Sequence, residues 1–387
     1  MQGRLPPAAK EAQLTQILHF AYARPVSVKA PGLCLREISA NSEKFFDSLP
    51  TLPSYLYEFC SIHSRNPYKD GIDYPALAKD VAQGIDLRPF LKRQDFNSSS
   101  TAYQLGIPGA PIALLKALLL RDFQSHIIVP DDRLCPAIPP RLDYVLWIQN
   151  IIRFTTAAAG PKEVKRCNII DAGTGASVIY PLLGCKVLPS DACYVGTEVD
   201  QPSVDCAMGN VLRNQLESRI QVLKTELDGP LLPPEVWRLH ESYTVLMCNP
   251  PFYSTAEEME AAEASKNRPC IQALLGAPVE TLTPDGATGF ILPELRSRPE
   301  APQHAHQVRR FSSLCGEQEV LEGVVAELRN LEIENYAIAK FEHGQTTRWV
   351  IAWSFEGLHL PDKIARANEA PELLHLLPCA LSVGEED

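Results

Sequence analysis

The chain has 387 residues, 45% hydrophobic and 21% charged, with a net charge of −11. This composition suits a globular protein of roughly two domains and excludes a broadly basic nucleic-acid binder, so any RNA surface has to be local. No apolar run reaches membrane-span length, no signal-peptide core opens the chain, and the 11 cysteines show no paired C-x-x-C spacing; the expectation is an intracellular protein, nuclear or cytoplasmic, with reduced core thiols and no membrane partner.

Residues 1–60 read as an appendage in which Glu11–Tyr22 alone carries helical spacing, between Pro6, Pro7, Pro25 and Pro31. Residues 61–130 read as a small helical region with a basic face. Asp73–Ala82 has apolar residues at helical spacing, with Pro75 tolerated in a first turn. Leu87–Phe96 sets Arg88, Lys92 and Arg93 beside Phe90 and Phe96, and Ala110–Phe123 is a Leu-dense helix. Residues 131–358 form the main domain. It opens with the proline-stiffened connector Leu134–Arg141 and the apolar helix Leu142–Ile152, followed by a basic loop at Lys162–Arg166.

Strands and helices then alternate. Cys167–Asp171 is a strand, Ala172–Ser177 a glycine-containing turn, Ser177–Leu183 a helix and Tyr194–Val199 the next strand. Asp200 caps a helix over Pro202–Asn214, Ile220–Leu223 is a third strand, and the apolar run Tyr243–Cys248 is a fourth. This alternation predicts an α/β fold with a parallel sheet and right-handed crossovers. Beyond it, Ser254–Ala264 is a helix, 266–269 and 277–280 are loops, and Gly289–Leu292 is a strand; 293–308 is a Pro-rich loop in which His304 and His306 do not suggest a metal. Gln318–Leu331 is a helix, Tyr336–Phe341 and Trp349–Phe355 are a closing antiparallel pair, and 359–387 is a tail.

Three motifs carry chemistry. Asp171-Ala-Gly-Thr-Gly175 puts Gly173 and Gly175 in the first β–α turn, where the backbone approaches a ligand closely. A dinucleotide fingerprint needs a third glycine at 178, which is Val. Glu198 ends the second strand, suitably for hydrogen bonds to ribose hydroxyls. An adenosyl ligand without a pyrophosphate fits, and S-adenosylmethionine is the common one with a transferable group. Asn249-Pro-Pro-Phe252 forms a rigid elbow after the fourth strand, because neither Pro250 nor Pro251 can donate to a ladder. Its amide oxygen, the Pro250 carbonyl and the Phe252 ring suit a flat, amine-bearing group.

On these residues the sequence resembles the RNA adenine-N6 methyltransferases of the methyltransferase-like protein 16 type and their bacterial 23S ribosomal RNA relatives. The resemblance spans about 61–356 and is carried by Arg65–Asp70, Ile138–Trp147, Asp171–Gly184, Gly196–Asp200, Cys248–Phe252 and Thr347–Phe355. It implies a class I, Rossmann-like methyltransferase with a seven-stranded, mainly parallel sheet behind a helical RNA-binding region. It implies that Arg141, Gly173, Ser177, Glu198 and Asn249 contact the methyl donor, with Asp171 and Gly175 in the same turn, and that Asn249, Pro250, Pro251 and Phe252 hold the target adenine. Arg65, Lys69, Lys92, Arg93 and Arg348 are the implied RNA contacts; no metal is expected, and the protein is expected to act as a monomer on a U6-type small nuclear RNA or a ribosomal RNA. A further donor contact between Ile220 and Leu232 is expected but has no matching residue. Two departures from the family pattern stand out: Gln345 replaces a basic residue, and the family's helix after a Gly-Gly-Glu is reduced to Asp285-Gly-Ala287 and the Pro-rich stretch. A protein glutamine-N5 methyltransferase and a catalytically impaired RNA-binding relative are the alternatives.

Overall fold

The computed structural model describes residues 63–80, 84–93, 101–159, 167–188, 191–264, 277–283, 285–297, 307–343, 346–366 and 371–379. The expected helix 11–22, the basic loop 162–166, His304, His306 and Gln345 lie outside the described residues.

Ahead of the main sheet come α1 (Tyr74–Asp80), a two-stranded ribbon of β1 (Leu91–Arg93) and β2 (Thr101–Tyr103), and α2 (Ala110–Phe123). The long helix α3 (Ile138–Ala159) leads into β3 (Asn168–Ala172), α4 (Ile179–Val187), β4 (Cys193–Glu198), α5 (Gln201–Arg213), β5 (Ile220–Lys224), α6 (Pro234–Leu239) and β6 (Tyr243–Cys248). After the elbow follow α7 (Ala256–Ala264), α8 (Pro278–Thr281), α9 (Gly286–Ser297), β7 (Val308–Cys315), α10 (Gln318–Asn330), β8 (Tyr336–His343), β9 (Thr346–Trp353) and α11 (Asp362–Ala365). The seven strands of the main sheet run in the order β5-β4-β3-β6-β7-β9-β8. β5, β4, β3, β6 and β7 are mutually parallel, and β9 is antiparallel to both β7 and β8. Among the described residues no helix is long and apolar enough to cross a membrane.

Local sequence explains most elements. Every residue of β6 is buried, as an apolar strand covered on both faces requires. Asp200 caps α5 by accepting from the Ser203 backbone N–H, with Pro202 in the first turn. α10 buries Leu321, Val324, Val325 and Leu328, one stripe at helical spacing. α3 is buried almost all round because it lies between the sheet and the N-terminal helices. Tyr68, Leu77, Leu115, Leu118 and Leu119 join Trp147, Ile169, Val245 and Ala337 in one apolar cluster.

Asp143 of α3 is the polar tie within that cluster. Its side chain is fully buried. One carboxylate oxygen accepts from the His63 backbone N–H at 3.1 Å and from Asn66 Nδ2 at 2.6 Å; the other meets His343 Nε2, at the end of β8, at 2.7 Å. Three distant segments are thereby held on one group. Burial, with the nearby Arg65 and Arg153 charges, pushes the His63 imidazole down to about 3, so it stays neutral between the backbone and Asn150.

Three expectations need correction. Gly289–Leu292 is not a strand but the middle of α9, and the expected loop from 293 is helical to Ser297. Ala287 and Ile291 stand one turn apart and are buried together, an apolar face that Pro293 obscures in the sequence. The helix beside the elbow, expected to be reduced, is therefore present. Of the expected loop 277–280, residues 278–280 belong to α8 (Pro278–Thr281). β7 is legible only in retrospect, because Arg309 and Arg310 interrupt its apolar run. Arg310 is nonetheless buried, with Nε donating to Thr155 Oγ1 at 3.0 Å and Nη2 to the Leu358 carbonyl at 2.5 Å. Beyond 360, Leu373, Leu376 and Leu377 pack into the second apolar cluster, where Tyr336 donates to the Leu376 carbonyl at 3.0 Å.

Replacing Asp143 with Ala leaves the His63 N–H without its acceptor and Asn66 with one fewer. The expected cost is about 3 kcal/mol of unfolding free energy, measured by urea denaturation; an unchanged midpoint would remove Asp143 from this role.

Candidate active site

The sheet register brings the three sequence motifs together. Ala172 at the end of β3 pairs with Thr197 of β4 on one side and Cys248 of β6 on the other. The residues one step further on, Gly173, Glu198 and Asn249, thus emerge in a row at the C-terminal edge, on strands about 4.8 Å apart. From β3 the chain passes outward to β4 and β5, then crosses back to β6 on the other side of β3. The row lies at that topological switch point, where open α/β sheets take their ligands.

The half of the row at the glycine turn is built around Glu198. Gly173 and Gly175 have φ of +71° and +64°, the left-handed conformation that only glycine enters without strain. The turn they make aims the Gly175 N–H at Glu198 Oε2, 2.9 Å away. Glu198 Oε1 accepts from the Val199 and Asp200 backbone N–H groups at 2.8 and 2.9 Å. Burial raises the Glu198 carboxyl, and these three hydrogen bonds act against it. Thr174 ties the turn down, donating through Oγ1 to Asp171 Oδ2 at 2.7 Å and through its backbone N–H to the Thr197 carbonyl at 2.9 Å. Ser177 is buried in the same turn. Thr225, which follows β5, donates its N–H to the Glu198 carbonyl at 2.8 Å and brings the next segment beside the site.

Two buried polar atoms here have no hydrogen-bond partner among the described residues: Asp171 Oδ1 and Tyr180 Oη. Tyr180 belongs to α4 and stacks edge-on against Tyr144, ring centres 5.5 Å apart. Burial raises its hydroxyl; the charges acting on it come from Arg141, Asp171, Cys248 and Arg348, which sets it between the donor turn and the elbow. Burial, with the Glu198 charge adding to it, pushes the Asp171 carboxyl up to about 7 against the Thr174 hydrogen bond. A glycine cradle, an acidic strand end, a guanidinium at Arg141 and two unpartnered polar atoms fit a ligand that carries hydroxyls, an amine and a carboxylate, as S-adenosylmethionine does.

The other half is the elbow. Asn249 is half-buried, and its carboxamide is tied to no other described side chain. Beneath it Tyr144 Oη lies 2.8 Å from Ser312 Oγ and accepts from the Cys248 N–H at 3.3 Å. Phe252 lies against Gly316, just past β7: a Cβ on Gly316 would stand 2.9 Å from the ring. Over the Phe252 ring, 5.0 Å from its centre, sits the Arg348 guanidinium, which also donates to the Thr347 carbonyl at 2.8 Å. Tyr253 continues the elbow, pairing through its N–H with the Thr281 carbonyl at 3.1 Å and accepting from Thr283 at 3.0 Å.

The basic residues separate. Arg65 turns inward, donating to Gln149 and to Asn150 Oδ1 at 2.7 Å, so it fastens the N-terminal segment to α3. Lys69 and Lys92 are exposed, Arg93 closes β1, and Arg348 stands at the elbow. Tyr144, Tyr180, Gly316 and Glu280 also line or support the site without being picked out individually in the sequence. Tyr144 and Tyr180 fall within the Ile138–Trp147 and Asp171–Gly184 motifs, whereas nothing local marks Gly316 or Glu280.

A seven-stranded sheet of this order, with a glycine turn, an acidic second strand and an Asn-Pro-Pro-Phe elbow, defines a class I, Rossmann-like methyltransferase. The profile of an RNA methyltransferase family matches residues 58–357, and the chain belongs to that family. It is 35% identical over 256 residues to the U6 small nuclear RNA (adenine-(43)-N(6))-methyltransferase of Schizosaccharomyces pombe, covering 65% of this chain and 62% of that protein. The human METTL16 catalytic domain in complex with the MAT2A 3′UTR hairpin 6 superposes with a TM-score of 0.65 at 30% identity, over 78% of this chain and all of that one. The N-terminal domain of human METTL16 in complex with SAH superposes with a TM-score of 0.59 at 28% identity, over 76% of this chain and 99% of that one. The chain spans about half the length of the vertebrate curated relatives it matches.

Two outcomes follow from this geometry. A carboxyl raised from 3.8 to about 7 by folding binds a proton that the unfolded chain releases, so its stabilisation is lost as pH rises through that window. Wild-type protein is expected to lose stability across it relative to Asp171→Asn, with a slope difference approaching about one proton, read from urea midpoints at a series of pH values; parallel curves would contradict a neutral Asp171. Gly316→Ala should displace the Phe252 ring and lower the rate of transfer about tenfold while leaving the affinity for S-adenosylhomocysteine unchanged.

Proposed function

We propose that this protein is an S-adenosylmethionine-dependent methyltransferase that modifies N6 of an unpaired adenosine in a structured RNA. The observation that carries this reading is the row Gly173, Glu198 and Asn249, set side by side by the pairing of Ala172 with Thr197 and Cys248. The donor, when bound, supplies an electrophilic methyl on a sulfonium.

The chain's residues do the rest. Glu198, with three backbone donors already in place, keeps one lone-pair site on Oε2 for a ribose hydroxyl. Arg141 meets the donor carboxylate, Ser177 and the Gly173 backbone line the cradle, and Asp171 and Tyr180 offer their unpartnered oxygens. The exocyclic amine of adenine is a poor nucleophile, because its lone pair is delocalised into the ring. Asn249 Oδ1 and the Pro250 carbonyl accept hydrogen bonds from its two N–H groups and localise that lone pair, Pro251 stiffens the elbow, and Phe252, with Arg348 over its ring, walls the base pocket. A base inside a helix cannot reach this edge, so the target is unpaired or flipped. Lys69, Lys92, Arg93 and Arg348 give a chain of net charge −11 its local phosphate contacts. The target named for the S. pombe relative makes a U6-type small nuclear RNA the first class to examine, and a large ribosomal RNA the second.

The test is methyl transfer from labelled donor to total cellular RNA, followed by nucleoside digestion. Label in N6-methyladenosine is expected; label in protein, or in no product, would overturn the reading. Asn249→Ala should lower transfer by about a thousandfold or more with an unchanged unfolding midpoint, and an active variant would refute the mechanism.

A further inference from the structure

Glu280 of α8 lies on the acceptor side of the chain sequence, after the elbow, yet its carboxylate crosses to the donor side. Oε2 accepts two backbone N–H groups, from Ala277 at 2.9 Å and from Leu134 of the proline-stiffened connector at 3.0 Å. Oε1 stands 3.7 Å from the point where a Cβ on Gly175 would lie and is hydrogen-bonded to no described residue. The Glu198 carboxylate holds the same Gly175 from its backbone side at 2.9 Å. Two carboxylates therefore flank one glycine, and the Glu198 charge, after burial, contributes to raising the Glu280 carboxyl. Like charges are costly at such close quarters in a partly buried site. The arrangement suits a ligand that donates hydroxyl hydrogens to both.

We infer that Glu280 is a second carboxylate of the donor site, accepting a ribose hydroxyl through Oε1 while Oε2 latches residues 277–283 and the connector over the glycine turn. This rests on the reading of the glycine turn as an adenosyl-donor site. It gives the elbow a route to the donor, because Tyr253 is hydrogen-bonded to Thr281, next along from Glu280, and to Thr283. Donor occupancy and the seating of the target base then share one short segment.

The experiment is calorimetric titration of the full chain with S-adenosylhomocysteine and with its 2′,3′-dideoxy counterpart. Glu280→Ala is expected to weaken S-adenosylhomocysteine about tenfold more than it weakens the dideoxy ligand. Glu280→Gln keeps an acceptor for the two backbone N–H groups; it is expected to retain the wild-type unfolding temperature and still lose affinity for the diol ligand alone. Equal losses for both ligands, or none for either, would overturn the inference and leave Glu280 a latch only. A folded wild-type chain that binds neither ligand would instead overturn the donor-site reading beneath it.

Discussion

The parallel pairing of β3 on both of its edges is the constraint on which the site depends. A strand bonded on both sides cannot slip by one residue without turning its buried side chains to the opposite face. Ile169, Ile170, Asp171 and Ala172 are all buried. The register with β4 and β6 is accordingly fixed, and with it the alignment of the glycine turn, the acidic strand end and the elbow. Each motif alone is common, and chemistry arises from their enforced adjacency.

The glycine-turn half of the site is rigid through backbone contacts and the elbow half through side chains. Glu198 binds three main-chain N–H groups and so shapes the turn before any ligand arrives. The elbow depends on Tyr144 beneath Cys248 and on Phe252 held between Gly316 and Arg348. Electrostatic preorganisation of this kind acts without reorganising during the reaction. The difference in construction matters for tolerance to change. Substitutions beneath the turn act through the main chain, whereas substitutions beneath the elbow act through one aromatic ring.

Most of this architecture was legible in the sequence because its signals are local. Strand β6, the capped helix α5 and the stripe on α10 are each specified by residues within one element, and the glycine turn and elbow announce themselves by composition. What was hidden depends on distant partners. Arg310 looks wrong for a buried strand until Thr155 and the Leu358 carbonyl are brought to it. α9 looks like a broken strand because Pro293 masks the pairing of Ala287 with Ile291. Arg65 reads as a surface cation, and only the fold reveals Gln149 and Asn150 as its acceptors. Gly316 and Glu280 matter through what approaches them from another element, which no window of sequence contains.

The buried Asp143 tie has a consequence for how the chain can be divided. The N-terminal helices share their apolar cluster with the sheet, and the carboxylate that holds the 63–66 segment also holds the last residue of β8. A seam between the helical region and the sheet would have to pass through a fully desolvated acid and through the face of α3 that Tyr68, Leu115 and Leu118 cover. The region that carries Lys69 and Lys92 is thus part of the same solid as the elbow. Its two cations therefore stand at a fixed offset from the elbow, as marks on a ruler rather than as a tethered arm.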